Sequence, residues 1–206
     1  KKNRREVFND YLEVVEAAWE TGIRPRCHLE DLTRADIYGF VMPFVSELVK
    51  RSEQVAPELH AKVRLCDTMG FGVSYPGASL PRSIPKLIHR LHHDAGVPHE
   101  CLEWHGHNDF HKVHINGGTA WIYGCNAVNA TLFGFGERTG NPPLEGAIME
   151  LISLRGNLCG INTHVIQEMA DFWRSIGMDI PPNYPFVGRD FNTTRAGIHA
   201  GGLRAD

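Results

Sequence analysis

Two histidines separated by one residue at the end of a predicted strand have a metal-ligand spacing, and the chain carries them in Trp104-His105-Gly106-His107-Asn108-Asp109. Side chains at i and i+2 of a strand leave the same face, so both rings can reach one ion. The competing reading is a pair that alternates by chance and is satisfied by hydrogen bonds. Further on, Gly134-Phe135-Gly136-Glu137-Arg138-Thr139-Gly140-Asn141 forms a glycine-rich loop that delivers polar side chains to the start of a helix. Turned inward, Asn141 would add an oxygen donor. Two imidazoles with oxygen donors and water suit zinc, manganese, iron or magnesium. The loop lacks the spacing of a dinucleotide fingerprint, and Glu137 would oppose an anion in a phosphate cradle. A bare turn remains open for it.

Other predicted strand ends are also polar. Arg26, His28 and Glu30 fall at i, i+2 and i+4, which places three polar groups on one face of a short strand, either lining a pocket or solvated at an edge. In a pocket, Arg26 is suited to grip a carboxylate with paired hydrogen bonds. Asp67-Thr68 offers a carboxylate and a hydroxyl to a ligand or to a turn. His89, His92 and His93 lie on a helix with Arg90 and Asp94 and read as a solvated face. His199, among glycines in Gly197-Ile198-His199-Ala200-Gly201-Gly202, can approach a site closely and move a proton near neutral pH, or can simply belong to a loop.

These residues need elements that converge them. Phe8, Leu12, Val15 and Trp19 recur at helical spacing, which predicts a helix over 5–20 that stops at Gly22. Strands are predicted at 26–30, 63–67, 101–107 and 127–133. The helices that follow them carry Ile37 to Leu48, Ile84 to Leu91, Val113 to Tyr123 and residues 142–155, with one more at 164–176. Four βα units imply a parallel sheet with right-handed crossovers. A doubly wound sheet and half of a (β/α)8 barrel share this local pattern, and both place ligands at the carboxyl ends of the strands. From residue 177 proline and glycine dominate, so residues 1–176 read as the α/β body and 177–206 as a segment leaving it.

The 206 residues, 42% hydrophobic, can bury a substantial core. A formal charge of -3 gives no field for nucleic acid, and the basic run from Lys1 to Arg5 is too short to make one. No apolar stretch is long enough for a membrane span, so the cytoplasm is the expected address. The five cysteines include no CxxC pair, and Cys27, Cys66 and Cys101 lie in apolar segments, which predicts reduced core thiols.

The ordered motifs resemble the metal-dependent TIM-barrel family that includes isopropylmalate, homocitrate, citramalate and Re-face citrate synthases. His105 to Asp109 is similar to its HxHND strand end, Gly134 to Asn141 to its GxGERxGN loop, and Asp67-Thr68-Met69-Gly70 to its DTxG turn. Glu30-Asp31 with Arg34 resembles its ED...R strand end. Pro182-Asn183 through Gly188, followed by Gly197-Ile198-His199, resembles the segment leaving the barrel.

The resemblance implies the C-terminal half of a TIM barrel that joins acetyl-CoA to a 2-oxo acid, with CoA released. His105 and His107 would ligate a divalent zinc, manganese or magnesium ion, and Asn141 would be a nearby or weaker ligand. Thr68 would donate to the oxo acid's carboxylate, Glu30 and His28 would line the pocket, and His199 would help to generate the acetyl-CoA enolate. Arg26 resembles the arginine that homocitrate synthases set against a distal carboxylate, which favours 2-oxoglutarate or oxaloacetate over the substrates of isopropylmalate or citramalate synthase. A homodimer is the expected assembly.

The departures also carry weight. No DxxLRDG-like first strand is present, so an N-terminal barrel half is the expected partner and the segment alone is expected to be inactive. His28 stands where the family has a small residue, and Phe110-His111 replace the small residues after HxHND. A lyase or aldolase of the same superfamily would lack the GERTGN loop and the GIHA tail. A non-catalytic metal-binding module is the reading outside enzymes.

Overall fold

A computed structural model describes residues 3–194, and elements alternate along them: α1 (Arg4–Glu20), β1 (Arg26–Leu29), α2 (Met42–Ser52), β2 (Lys62–Asp67), α3 (Ile84–His93), β3 (Leu102–Gly106), α4 (Val113–Ile122), β4 (Ala127–Asn129), α5 (Leu144–Arg155) and α6 (Val165–Ser175). The four strands form one parallel sheet in the order β1-β2-β3-β4. A doubly wound sheet reverses its strand order at a switch point, whereas the arc of a barrel adds each new strand on the same side. Sequential order therefore selects the barrel. The chain is α/β, with four consecutive βα units of the TIM-barrel type.

Strand alternation gives this sheet two chemically different faces. Cys27, Val63, Leu65, Leu102 and Trp104 enter one core with Leu12 and Val15 of α1, Val45 and Leu48 of α2, and Leu87, Ile88 and Leu91 of α3. The intervening residues, Arg26 and His28 of β1, Lys62, Arg64 and Cys66 of β2, and Glu103 and His105 of β3, leave the opposite face, the inner one of a barrel. The helices thus fix the strands from outside while the strands present polar groups inside. Cys27, Cys66 and Cys101 are buried free thiols as expected, and burial pushes Cys27 up to about 11 and Cys66 up to about 12.

Several predicted boundaries shift for identifiable reasons. The strand expected over 127–133 ends at Asn129, and Leu132–Gly134 forms a 3-10 turn instead. Phe133 has φ 54°, a left-handed backbone that no strand accommodates, and its N–H donates to Glu145 Oε2 of α5 at 2.9 Å. The helix after β1 begins as a π turn, Ile37–Val41, with Asp36 accepting from Gly39 N. The α3 histidines divide: His89 and His93 are exposed, but His92 is half-buried, stacks on His99 at 3.7 Å between ring centroids and bonds Val97 O through Nδ1 at 2.8 Å. The solvated-face expectation therefore fails for His92, which fastens the turn between α3 and β3.

The chain falls into two compact units divided between Leu154 and Arg155, ahead of α6. In the second, Arg174 of α6 donates to Val187 O and pairs with Asp171 at 2.9 Å. Among the described residues, no helix is long and apolar enough to cross a membrane.

Candidate metal centre and substrate pocket

The sheet register brings the two predicted ligands together. His105 lies opposite Cys66 of β2 and Asn129 of β4, and His107 follows just past the strand end on the same side. Their Nε2 atoms stand 3.2 Å apart with the rings nearly perpendicular. Two nitrogens each about 2.05 Å from one ion lie about 2.9 Å apart in octahedral and about 3.3 Å apart in tetrahedral geometry. The separation matches a shared ion, and without one it is that of a hydrogen bond between the two rings. The Nδ1 atoms of both rings and Asn141 Oδ1 are buried without a hydrogen-bond partner among the described residues. Unpaired buried polar atoms are costly, and of these three Asn141 Oδ1 is a donor that a divalent cation would satisfy, whereas the two Nδ1 atoms are the ring nitrogens that do not converge. Burial, with the charges of His107 and Arg64, holds His105 below the usual imidazole range, so the ring is in the neutral form that binds metal. The bond from Asn108 N to Gly140 O, 2.9 Å, ties the loop that carries Asn141 to the segment after His107, and the Asn141 amide itself lies against Gly136 of that loop.

Glu30, Thr68 and His28 meet on the same inner face. Thr68 Oγ1 donates to Glu30 Oε2 and accepts from Asp31 N, both at 2.8 Å. His28 Nδ1 lies 3.8 Å from Glu30 Oε1. Ligand atoms of His28, Glu30 and Cys66 all fall within 4.8 Å of one another. With its pKa near 12, the Cys66 thiol keeps its proton at neutral pH. Asp67, read as ligand or turn, is a turn residue: its carboxylate accepts from Thr33 Oγ1 at 2.7 Å and from Gly72 N at 2.9 Å.

The glycine-rich loop also works as a clamp. Arg138 donates through Nε and Nη2 to both oxygens of Asp109, at 2.8 and 3.1 Å, and through Nη2 to Thr68 O. One guanidinium therefore ties the loop, the end of β3 and the turn after β2. Gly70 closes that turn with φ +68°, and a Cβ there would stand 2.9 Å from His107 O. Gly70→Ala combines left-handed strain with a backbone collision, so a loss of about 1–3 kcal/mol is expected in chemical unfolding, with weaker metal retention because His107 must move. Unchanged stability would show that the turn is not tied to the ligand.

Below the metal pair, the inner face holds a charge cluster. Glu103 is 3% exposed and meets Arg26 Nε at 2.7 Å, Lys62 Nζ at 3.0 Å and Arg64 Nη2 at 2.8 Å. Burial alone would raise its pKa, but the hydrogen bonds from Lys62, Arg26 and Arg64 reverse that and bring it to about 2. Arg26, expected to face a substrate carboxylate, here grips the chain's own.

Of the predicted site residues, His105, His107, Asn141, Glu30, Thr68, His28 and Arg26 lie at the carboxyl ends or on the inner face of this sheet, and His199 lies outside the described residues. Lys62, Arg64, Cys66, Glu103 and Arg138 were not foreseen. The alternation of Lys62 and Arg64 with Val63 and Leu65 was the available signal for the first two.

The model of the HMGL-like family matches residues 1–172. The chain is 58% identical over 201 residues to a citrate (Re)-synthase of Syntrophus aciditrophicus, covering 97% of this chain and 32% of that protein. It is 50% identical over 207 residues to the citrate (Re)-synthase of Clostridium kluyveri, covering 100% of this chain and 45% of that one. It thus spans less than half the length of these relatives. A hydroxymethylglutaryl-CoA lyase from Pseudomonas aeruginosa superposes with a TM-score of 0.62 at 20% identity, over 91% of this chain and 60% of that one, a likeness of fold.

Proposed function

This chain belongs to the HMGL-like family, and from that premise we propose that it supplies the metal-binding half of a barrel that condenses acetyl-CoA with a 2-oxo dicarboxylic acid and releases CoA. The observation that carries the reading is the 3.2 Å convergence of His105 and His107 Nε2 above a cationic inner face. The names of the two citrate (Re)-synthases favour oxaloacetate over 2-oxoglutarate. The remaining strands, with the acid that completes the ligand set, come from a preceding barrel half, and the assembly is a cytoplasmic homodimer.

A divalent ion held by His105, His107 and Asn141 would polarise the keto group and stabilise the oxyanion that develops there. Thr68 orients the oxo acid by donating its hydroxyl proton in a hydrogen bond to the substrate carboxylate, which requires that proton to turn away from Glu30, its acceptor in this structure. His199 belongs to the machinery that removes a proton from the acetyl methyl group. The resulting acetyl-CoA enolate attacks the keto carbon, the alkoxide is protonated, and water cleaves the thioester to free the thiol. Arg138 keeps the three strand ends in register during this sequence.

Thiol release from acetyl-CoA by the full-length protein tests the reading, with oxaloacetate, 2-oxoglutarate, 2-oxoisovalerate and pyruvate each tried with and without a chelator. Release with oxaloacetate, lost on chelation and restored by a divalent metal, is the expected outcome. Release with the monocarboxylic acids only would keep the chemistry and remove the role of the cationic face. No release with any oxo acid would turn the assignment toward a lyase or a non-catalytic module.

A further inference from the structure

Glu103 has a single negative charge and three cations on it, so this cluster keeps positive charge in excess, which Glu30 farther along the same inner face offsets only in part. Such an excess calls for an anion. The three cations are not equivalent. Arg26 engages both Glu103 oxygens, Nε on Oε2 at 2.7 Å and Nη2 on Oε1 at 3.2 Å. Lys62 bonds Oε1 at 3.0 Å. Arg64 places Nε and Nη2 on the same oxygen, Oε2, at 3.1 and 2.8 Å, and the Nη1 of each arginine takes no hydrogen-bond partner among the described residues.

Register separates them further. Arg64 lies opposite Glu103, and the next inner-face pair along the same two strands is Cys66 and His105. Arg26 is level with Lys62, one step lower. A two-residue step is about 6.6 Å along a strand. The distal carboxylate of a four-carbon 2-oxo diacid, two carbon–carbon bonds from the keto carbon and hydrogen-bonded to a guanidinium, spans roughly 6 Å.

We propose that Arg64, rather than Arg26, is the specificity-determining residue that pairs with the distal carboxylate of the substrate, with Glu103, itself fixed by Arg26 and Lys62, holding its guanidinium in place. This rests on the condensation reading for the ligand's identity as a 2-oxo diacid. It assigns to β2 a role that the strand-end motifs do not contain.

Binding of malate and lactate, stable 2-hydroxy analogues with and without the distal carboxylate, separates the alternatives. Both enantiomers of each are titrated calorimetrically into the full-length protein in the presence of Mn2+. The wild type should prefer malate. Arg64→Met should weaken malate by about 30-fold and lactate far less, collapsing the preference, as expected for loss of a charged hydrogen-bond pair. Arg26→Met should weaken malate less than about fivefold. Arg64→Lys, which keeps Glu103 paired, covers the case in which the methionine variant does not fold, and should lose about tenfold because the fork is gone. Equal weakening of malate and lactate, a selective loss from Arg26→Met instead, or a wild type without preference would each overturn the assignment. If Arg64 governs malate binding but oxaloacetate gives no thiol release, the condensation reading fails and the carboxylate subsite stands.

Discussion

His105→Ala in the full-length protein is expected to abolish metal-dependent thiol release, with a loss of about 1,000-fold or more, because the ion loses a first-sphere nitrogen and the keto group its polarising centre. His107→Ala should do the same. The expectation follows from the convergence of their Nε2 atoms at 3.2 Å, which leaves no room for one ring to serve without the other. Metal content after dialysis, measured by mass spectrometry, separates a ligand from a bystander. A ligand variant retains substantially less metal than the wild type, while its thermal unfolding in chelator remains close to that of the chelated wild type. Asn141→Ala should lose less of both, since its amide oxygen is the weaker donor. If His105→Ala keeps its full metal complement, the ion lies elsewhere and the centre proposed here is wrong.

How much of this was legible in the sequence depends on the range of the interaction. The βα alternation and the spacing of His105 and His107 are local, so periodicity and strand geometry were enough to place them. The selection of a barrel over a doubly wound sheet needed the order of strands, which no single segment carries. β4 ended early because Phe133 turned left-handed and gave its N–H to Glu145, twelve residues away. Arg138 looked like one more polar loop residue until the fold brought Asp109 and the carbonyl of Thr68 to its guanidinium. Arg26 was read as free for a substrate because Glu103, seventy-seven residues later, sits between Leu102 and Trp104 in an otherwise apolar run. Strand alternation turns those two neighbours toward the helices and Glu103 toward the three cations.

Glu103 also makes the acid limb of the stability curve predictable. Its folded pKa, about 2, lies below the ordinary carboxylate value. The stabilisation is therefore fully present above about pH 4.5 and is lost as the pH falls from there toward 2. The displacement corresponds to about 3 kcal/mol, and removing one partner from a buried ion pair costs about 3–5 kcal/mol by a separate route. Glu103→Gln should accordingly unfold about 3 kcal/mol more easily at pH 7, with the deficit shrinking at pH 3.5 as the wild type takes up its proton. Urea unfolding of both proteins at pH 7, 5 and 3.5 reads the difference. A glutamine variant as stable as the wild type at pH 7 would mean that the three cations do not need this carboxylate. A deficit that stays constant with acidity would mean that the loss is one of packing rather than charge. The same substitution bears on the substrate subsite, because Arg64 would then have an incoming carboxylate as its one anionic partner there. Tighter malate binding in Glu103→Gln, alongside lower stability, would identify Glu103 as the internal anion with which the substrate's carboxylate shares Arg64.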